Sequence, residues 1–251
     1  MSQVFYNVRP LPALAWVVIA SFLAYSDCYA GVIAIHSGSN DPVAEGFLGP
    51  GGGVNVAPTF GDQGFAAWSM DHNGGPTSLY RSSPLSASEL QLVDDFGWTM
   101  RVRARVTRSS TFENNLATFF SDGNRRYDLL LGLNSAGVTF AHLNDQVITP
   151  TNTPGQTFVL DGSGSSYHLF ELVYDASVGS ADLFVDGLEV ISDYAGHDDF
   201  VPASGLYFGT ANGSAGNFNL VSLETNAVPE PASALAFASI GLGLLVRRRR
   251  R

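Results

Sequence analysis

The chain of 251 residues accommodates one domain of about 200 residues with appendages, or two small domains. Its 27 glycines, with 12% aromatic and 14% charged residues, are typical of an all-β chain with short strands and many turns, and they argue against a helical bundle. Residues 31–227 contain seven arginines against twenty-one carboxylates and no lysine, a formal net charge of −14, so binding to DNA or RNA phosphates is not expected.

Residues 1–30 have the pattern of a secretory signal peptide. Arg9 precedes an apolar run from Leu11 to Tyr25, and a short polar stretch then ends with small residues at Cys28 and Ala30. The pattern predicts cleavage after Ala30. The alternative is an uncleaved membrane anchor, although the run is short for a spanning helix. Cys28 is the only cysteine, so the mature chain would have no disulfide and would depend on its core for stability.

The first half of the body is predicted to contain a loop, a short helix and a long strand. The Gly-rich segment 49–58 indicates a loop, and Ser86 and Glu89 have the spacing of a capping box, so a short helix is expected after Ser86. The stretch "WTMRVRARV" alternates without a break, which predicts a half-buried strand. One face of that strand carries Trp98, Met100, Val102, Ala104 and Val106, and the other carries Thr99, Arg101, Arg103 and Arg105.

The second half of the body is predicted to consist mostly of hairpins. The runs "RRYDLLLGL" and "VTFAHL" flank the turn "NSAG", and "SADLFV" and "LEVISD" flank Asp186-Gly187, a two-residue hairpin turn. The segment 151–166 indicates a loop. We therefore expect an all-β, two-sheet antiparallel β-sandwich over residues 31–227. Its predicted buried residues include Trp98, Val102, Phe170, Leu172 and Leu183.

A second apolar run closes the chain, from Ala232 to Val246, and is followed by the cluster Arg247, Arg248, Arg249, Arg250 and Arg251. Fifteen helical residues span about 22 Å, less than the hydrocarbon core of about 30 Å. The arginines favour the cytoplasmic side and predict a stop that holds the tail in the inner membrane. Because the run is rich in Ala, Gly and Ser, it is expected to be a weak, transient anchor.

The ending resembles the PEP-CTERM sorting signal of Gram-negative bacteria over Val228–Arg251, with the motif "VPEP", a short apolar helix and an Arg cluster in that order. The resemblance implies that Pro229, Glu230 and Pro231 are recognised by an exosortase, a membrane-embedded enzyme that removes the tail. It also implies a link to exopolysaccharide and a protein that is tethered to the inner membrane before reaching the cell surface or the medium. The alternative is a plain C-terminal anchor.

The body resembles the laminin-G-like, concanavalin A-like jelly roll, most clearly over residues 95–225. The matching pattern is a "His–aromatic–Leu–Tyr-Asp" strand followed by "L-x-V-D-G" in a hairpin, which His168, Tyr174, Asp175, Leu183, Val185, Asp186 and Gly187 fit. The resemblance implies the fold. It implies no single activity, because lectins, adhesion modules, glucanases and lyases share it.

The body shows no catalytic motif. No Glu is followed two residues later by an Asp, as laminarinase-type enzymes of this fold require for paired carboxylates. The carboxylates Asp182, Asp186 and Glu189 straddle a hairpin turn, and the five histidines are scattered. We therefore expect a non-catalytic glycan- or protein-binding module and no enzyme. The alternative is a carbohydrate-active enzyme, a glycoside hydrolase or polysaccharide lyase, with dispersed catalytic residues.

Two groups of side chains are candidate binding sites. Arg101, Arg103 and Arg105 recur about every 6.6 Å along one strand face and could bind an anionic polysaccharide, although pairing with carboxylates such as Glu171 or Asp128 is the simpler expectation. Asp193, Asp198 and Asp199 lie close together in sequence, and oxygen ligands of this kind suit Ca²⁺. The simpler reading of these aspartates is a solvated acidic loop.

Overall fold

The computed structural model describes residues 31–50, 54–72, 77–109, 116–145, 155–161, 166–211 and 213–226. All of them belong to one of two compact units of the chain, Ala30–Val228. The second unit combines Met1–Tyr29 with Pro229–Arg251 and lies outside the described residues. The predicted signal peptide, its cleavage site at Ala30 and the predicted C-terminal helix therefore remain predictions. Among the residues described, no helix is both long and apolar enough to cross a membrane.

Strands dominate the described part of the chain. In order, its elements are β1 (Val32–His36), a 3-10 helix (Pro42–Glu45), β2 (Val54–Asp62), β3 (Phe65–His72), β4 (Ser78–Arg81), α1 (Ala87–Phe96), β5 (Trp98–Arg108), β6 (Leu116–Ser121), β7 (Arg126–Leu133), β8 (Thr139–Asn144), β9 (Gly155–Val159), β10 (His168–Asp175), β11 (Ser180–Val185), β12 (Leu188–Tyr194), β13 (Gly205–Thr210) and β14 (Ala215–Thr225).

These strands form two antiparallel sheets, which confirms the predicted sandwich. The larger sheet has the order β12-β11-β10-β5-β14-β3-β2, and the smaller has the order β4-β13-β6-β7-β8-β9. The last strand, β14, is central: it pairs with β5 on one side and, on the other, first with β3 and then with β1. The sheet is therefore completed only by the C-terminal end of the body.

The alternating pattern of β5 places one of its faces in the core, as predicted. Trp98, Met100, Val102, Ala104 and Val106 are all buried, and Phe170, Leu172 and Leu183 on the neighbouring strands join them in one hydrophobic cluster with residues of the smaller sheet. Trp98 stacks on Tyr174 with ring centroids 5.4 Å apart. The five residues predicted to be buried are thus confirmed.

The local signals for turns and caps are confirmed as well. Ser86 and Glu89 form both hydrogen bonds of a capping box at the start of α1. The turn between β11 and β12 has left-handed backbone angles at both central residues, with φ of 51° at Asp186 and 83° at Gly187, as a two-residue hairpin of the I′ type requires.

Two segments predicted as loops contain strands. Segment 49–58 includes the start of β2, and segment 151–166 includes β9. Both strands lie at the edge of a sheet, where one side of the backbone has no partner strand in the sheet order. An edge strand tolerates a proline such as Pro58 and needs little burial, so the alternation that identifies β5 is absent from both.

The smaller sheet is buried on both faces along its central strands. All six residues of β6, β8 and β13 are buried, although alternation places only half of them against the core. Phe119, Leu130, Phe140 and Tyr207 are buried but lie outside the core cluster. Strands that are buried on both faces carry no clear period of two, which is why "LATFFS" gave no strand prediction.

Candidate functional site

The predicted arginine face exists, and it lies on the larger sheet away from the core. Arg101 is opposite Glu171 of β10 in the strand register, and its Nε donates to Glu171 Oε1 at 2.8 Å. Its Nη1 also donates to Glu224 of β14. Pairing with Glu171 is therefore present, whereas Asp128, the other partner considered from sequence, lies on β7 of the smaller sheet.

Arg105 is held just as firmly at the other end of the face. Its guanidinium pairs with Asp62, and the second oxygen of Asp62 accepts hydrogen bonds from Tyr167 Oη at 2.9 Å and Asn217 Nδ2 at 2.6 Å. Burial acts to raise the pKa of Asp62, but these hydrogen bonds and the Arg105 charge outweigh it, so the pKa is lowered. Asp62 is thus an ionised, fully engaged carboxylate.

Arg103, between them, has no carboxylate partner among the described residues. Its Nη1 makes a long hydrogen bond of 3.4 Å to Asn219 Oδ1, and its guanidinium carbon lies 5.6 Å from the centre of the Phe65 ring. Phe65 in turn packs on Tyr167, with ring centroids 4.8 Å apart. The structure therefore divides the three predicted arginines into two that are neutralised and one that faces an aromatic pair.

The three aspartates predicted as Ca²⁺ ligands lie at the end of β12 and in the loop that follows it. Asp193 lies near the end of β12 with φ of 61°, and its backbone N–H donates to Asp182 Oδ1 at 3.0 Å. Asp198 and Asp199 follow in the loop after β12. Within the described ranges, no group of three or more His, Cys, Asp or Glu side chains is placed to hold a metal ion. The structure does not bring these three carboxylates together, and Ca²⁺ binding stays a prediction.

A buried polar cluster on the smaller sheet was missed from sequence. Asp128 is fully buried; its Oδ1 accepts from Arg126 Nε at 2.5 Å, and its Oδ2 accepts from Asn144 Nδ2 at 3.2 Å and lies 3.1 Å from His197 Nε2. The Arg126 guanidinium also lies over the Phe119 ring, 3.8 Å from its centre. Every oxygen of this carboxylate is occupied.

The same cluster fixes the loop that follows β12. Arg126 and His197 exchange backbone hydrogen bonds of 2.8 and 2.9 Å, and the hydroxyl of Tyr194 accepts from the Asp128 N–H and donates to the Asn144 carbonyl at 2.6 Å. Burial holds the pKa of Tyr194 well above its ordinary value, so the hydroxyl remains a donor. The only sequence signal was an Arg and an Asp two residues apart on one strand face.

Asp186 has a second role beyond its turn. Its carboxylate accepts from the backbone N–H of Leu169 at 2.9 Å and lies 2.7 Å from His168 Nδ1. The two halves of the fold pattern, the His at the start of β10 and the Asp-Gly turn, are therefore joined directly. His168 is half-buried and is hydrogen-bonded to Asp186.

A cavity of about 180 Å³ lies between β1, the 3-10 helix and the residues before α1. Two carboxylates line it, Glu45 and Glu89. Glu45 is hydrogen-bonded to buried His36 at 2.5 Å and to the Ser37 hydroxyl at 2.5 Å, and Glu89 closes the capping box of α1. Both side chains therefore have structural partners, and the cavity lacks a free carboxylate pair of the kind that glycoside hydrolysis uses.

The two-sheet sandwich of the body is shared with several solved structures, in agreement with the predicted jelly-roll fold. It is similar to the carbohydrate esterase vb_24B_21 of the Shiga toxin-encoding bacteriophage phi24B, with a TM-score of 0.55 and 13% identity over 78% of this chain and 100% of that one. It is also similar to the binding domain of botulinum neurotoxin DC solved with rat synaptotagmin II, with a TM-score of 0.51 and 8% identity over 83% of this chain and 51% of that one.

The third similar structure is a protein of unknown function, SO2946 of Shewanella oneidensis MR-1, with a TM-score of 0.50 and 10% identity over 90% of this chain and 99% of that one. At these identities the likeness shows the fold alone. No curated protein sequence matches the chain.

The chain ends in a PEP-CTERM protein-sorting motif, which a family model matches over residues 227–251. The motif implies processing by an exosortase-type membrane enzyme, and a secreted protein that is anchored in the membrane before that processing. The predicted recognition residues Pro229, Glu230 and Pro231 and the cluster Arg247–Arg251 fall inside the matched range, but outside the described residues.

Proposed function

We propose that the protein is an exported, non-catalytic glycan-binding module of the cell surface or matrix, held in the inner membrane by its tail until an exosortase-type enzyme releases it. One observation carries the proposal: the sandwich closes with β14 at Thr225, and the sorting motif begins at residue 227. The tail contributes no strand to the described sheets, so a folded body can be released by a cut within the motif.

The hydrogen bonds and ion pairs of its carboxylates favour a binding function over catalysis. A glycosidase needs one carboxyl group as acid and another as nucleophile or base, both facing the substrate. On the described strands of the smaller sheet Asp128 is the one carboxylate, and it is buried with both oxygens accepting hydrogen bonds. On the larger sheet Glu171, Glu224, Asp62 and Asp71 are paired with arginines. Asp175 and Asp182 accept hydrogen bonds from backbone N–H groups. Glu189 and Asp193 of β12 are the carboxylates of this sheet whose side chains have no hydrogen-bond or ion-pair partner among the described residues.

The alternative, a carbohydrate-active enzyme, is supported by one feature. Nδ1 of His197 is buried without a hydrogen-bond partner, while Nε2 of the same ring faces Asp128, an arrangement that orients a histidine base. His197 is buried, so substrate would need a rearrangement to reach it. Release of reducing ends, unsaturated uronates or acetate from polysaccharides, lost in His197→Gln, would favour this alternative over the binding module.

The sorting half of the proposal is tested by Glu230→Ala in the native host. If the motif is read by a processing enzyme, the variant accumulates as an unprocessed membrane form, seen by western blotting of membrane and released fractions. Glu189→Ala, the same change at an exposed glutamate of β12, is the matched control and should fractionate like wild type. Identical fractionation of all three proteins would reject the sorting role and leave a plain anchor.

The binding half is tested with a glycan array probed with the Ala30–Val228 unit, with and without Ca²⁺. Binding to one class of glycans without any change in the glycan supports a non-catalytic module. An array with no bound glycan under either condition would reject it.

A further inference from the structure

On the face of β5, Arg103 is the arginine that has no carboxylate partner in the described part of the chain. Of the five N–H groups of the Arg103 guanidinium, one makes the long hydrogen bond to Asn219, and none of its nitrogens is a buried atom without a partner. The remaining donors are therefore open to solvent. On either side, Arg101 and Arg105 are already bound by carboxylates.

The side chains around Arg103 are apolar. Its direct neighbours across the sheet are Leu169 on β10 and Leu220 on β14, both partly exposed. Phe65 lies beneath the guanidinium and Tyr167 lies against Phe65. We call these five residues the Arg103 patch. Its planar cation can bind a carboxylate, and its aromatic pair can bind the C–H face of a sugar ring.

The electrostatics of the patch differ from those of the whole body. The nearby carboxylates Glu171, Glu224 and Asp62 are ion-paired with Arg101 and Arg105, so with Arg103 included this face carries three positive and three negative charges, whereas the body as a whole is strongly acidic. The Asp186 carboxylate also borders the patch, since it accepts from the Leu169 N–H, and it is hydrogen-bonded to His168. At 0.15 M salt the Debye length is about 8 Å, so the repulsion from charges beyond that distance is screened. An anionic group can therefore approach Arg103 although the body is strongly acidic.

We propose that the Arg103 patch binds an acidic polysaccharide: a uronate carboxylate is held by the Arg103 guanidinium, and the sugar ring lies on Phe65 and Tyr167. Arg binds carboxylates with two parallel hydrogen bonds, and its planar group can do so while it lies on an aromatic ring. This inference rests on the proposed glycan-binding function and names its ligand class and its site.

The size of the patch favours a saccharide over a protein partner. A stable protein interface buries about 800 Å² on each side, with a cluster of large side chains at its centre. The Arg103 patch offers one cation and one aromatic pair bordered by ion pairs that are already satisfied, which matches one or two sugar units. Each site is then weak, and a repeating polymer gains avidity from many copies displayed on one surface.

The experiment measures binding of the full-length protein, in mild detergent, to immobilised polygalacturonate at 0.15 M salt. The terminal arginines of the chain bind any polyanion, so the readout is the difference between variants that share the same tail. Arg103→Gln removes the charge from the patch, and Arg81→Gln removes the same charge from an exposed arginine of β4 that also lacks a carboxylate partner among the described residues.

We expect Arg103→Gln to weaken binding about tenfold or more, the range for a charged hydrogen bond, and Arg81→Gln to change it less than about twofold. Arg103→Lys, which keeps the charge without the planar fork, should fall between them. Phe65→Ala should weaken binding about threefold through loss of the ring face. Methyl-esterified polygalacturonate should bind wild type as weakly as the free acid binds Arg103→Gln.

Equal effects of Arg103→Gln and Arg81→Gln would overturn the site. The saccharide assignment would be overturned if poly-L-glutamate bound as tightly as polygalacturonate and if Arg103→Gln weakened both kinds of binding equally. That result would indicate an acidic protein segment as the ligand. Glycan-array binding confined to neutral sugars and unchanged by Arg103→Gln would overturn this inference while the proposed function stands. Absence of binding to any glycan would overturn both.

Discussion

Replacing Asp128 by asparagine isolates the energy of the buried cluster on the smaller sheet. Asparagine keeps the shape of the side chain but removes its charge and turns one oxygen into a donor. Arg126, Asn144 and His197 all direct nitrogens at this carboxylate, so the new NH₂ group meets a donor whichever way the amide turns. The substitution therefore leaves the Arg126 cation without its counter-charge and at least one hydrogen bond unmade.

The burial of both partners sets the magnitude. The side chains of Arg126 and Asp128 are 16% and 1% exposed, so solvent screens their interaction little. Removing one partner of a buried pair costs about 3–5 kcal/mol, and because Arg126 keeps some exposure we expect about 3 kcal/mol. For a domain of this size that corresponds to a fall in Tm of about 6–12 °C.

The assay is urea and thermal unfolding of the Ala30–Val228 unit at pH 7, with Asp71→Asn as the matched control. Asp71 also pairs with an arginine, Arg108, at 2.6 Å, but the two side chains are 42% and 45% exposed. An exposed pair contributes about 0–1 kcal/mol, so the control should lose little stability. Equal losses in Asp128→Asn and Asp71→Asn would show that the reasoning from burial is wrong.

Two further predictions concern the backbone and pH. Gly97→Ala should lower the free energy of unfolding by more than about 2 kcal/mol, because a Cβ at this left-handed residue (φ 76°) would lie 2.2 Å from the Tyr174 carbonyl oxygen. Gly61→Ala is the control: its φ is 71° but the space around it is open, so it should cost about 1 kcal/mol. Equal losses of the two variants in urea unfolding would contradict the contact argument. Burial lowers the pKa values of His36 and His142 below the ordinary value of about 6.5, so the unfolded chain binds protons first as pH falls. Their contribution to stability is therefore full above about pH 7.5 and should be lost as pH falls through about 6.5. An unchanged free energy of unfolding between about pH 7.5 and 5.5 would count against buried neutral histidines.

Local patterns explain which parts of the fold were predictable. The alternation of β5, the capping box at Ser86 and the Asp186-Gly187 turn each involve residues close in sequence, and all three are present. The edge strands β2 and β9 were missed because neither needs a continuous buried face. Strand β6, "LATFFS", was missed for the opposite reason, since both of its faces are buried, whereas β7 and β8 were predicted from the hairpin pattern around "NSAG".

The candidate sites depend on contacts that cross long stretches of sequence. Asp128 meets His197 and Tyr194 across 69 and 66 residues, so no spacing rule could associate them. The arginine face was visible from the period of two. Which arginine remains unpaired follows only from the neighbours of β5: Glu171 lies 70 residues from Arg101, and Asp62 lies 43 residues from Arg105. Pairing geometry, not residue type, distinguishes Arg103.

The position of β14 links the fold to the proposed sorting route. This strand lies inside the larger sheet and pairs with β5, β3 and β1, so that sheet cannot close until residues 215–225 are available. The sorting motif begins at residue 227, so in the proposed route the membrane holds the chain just beyond its final strand. Contacts between segments that are distant in sequence carry a loop-closure cost in conformational entropy. In the proposed route, a body held at its last residues forms these contacts only after nearly all of it has crossed the membrane. A cut before β14 would release an open sheet with unpaired edges, whereas a cut within the motif releases a closed one.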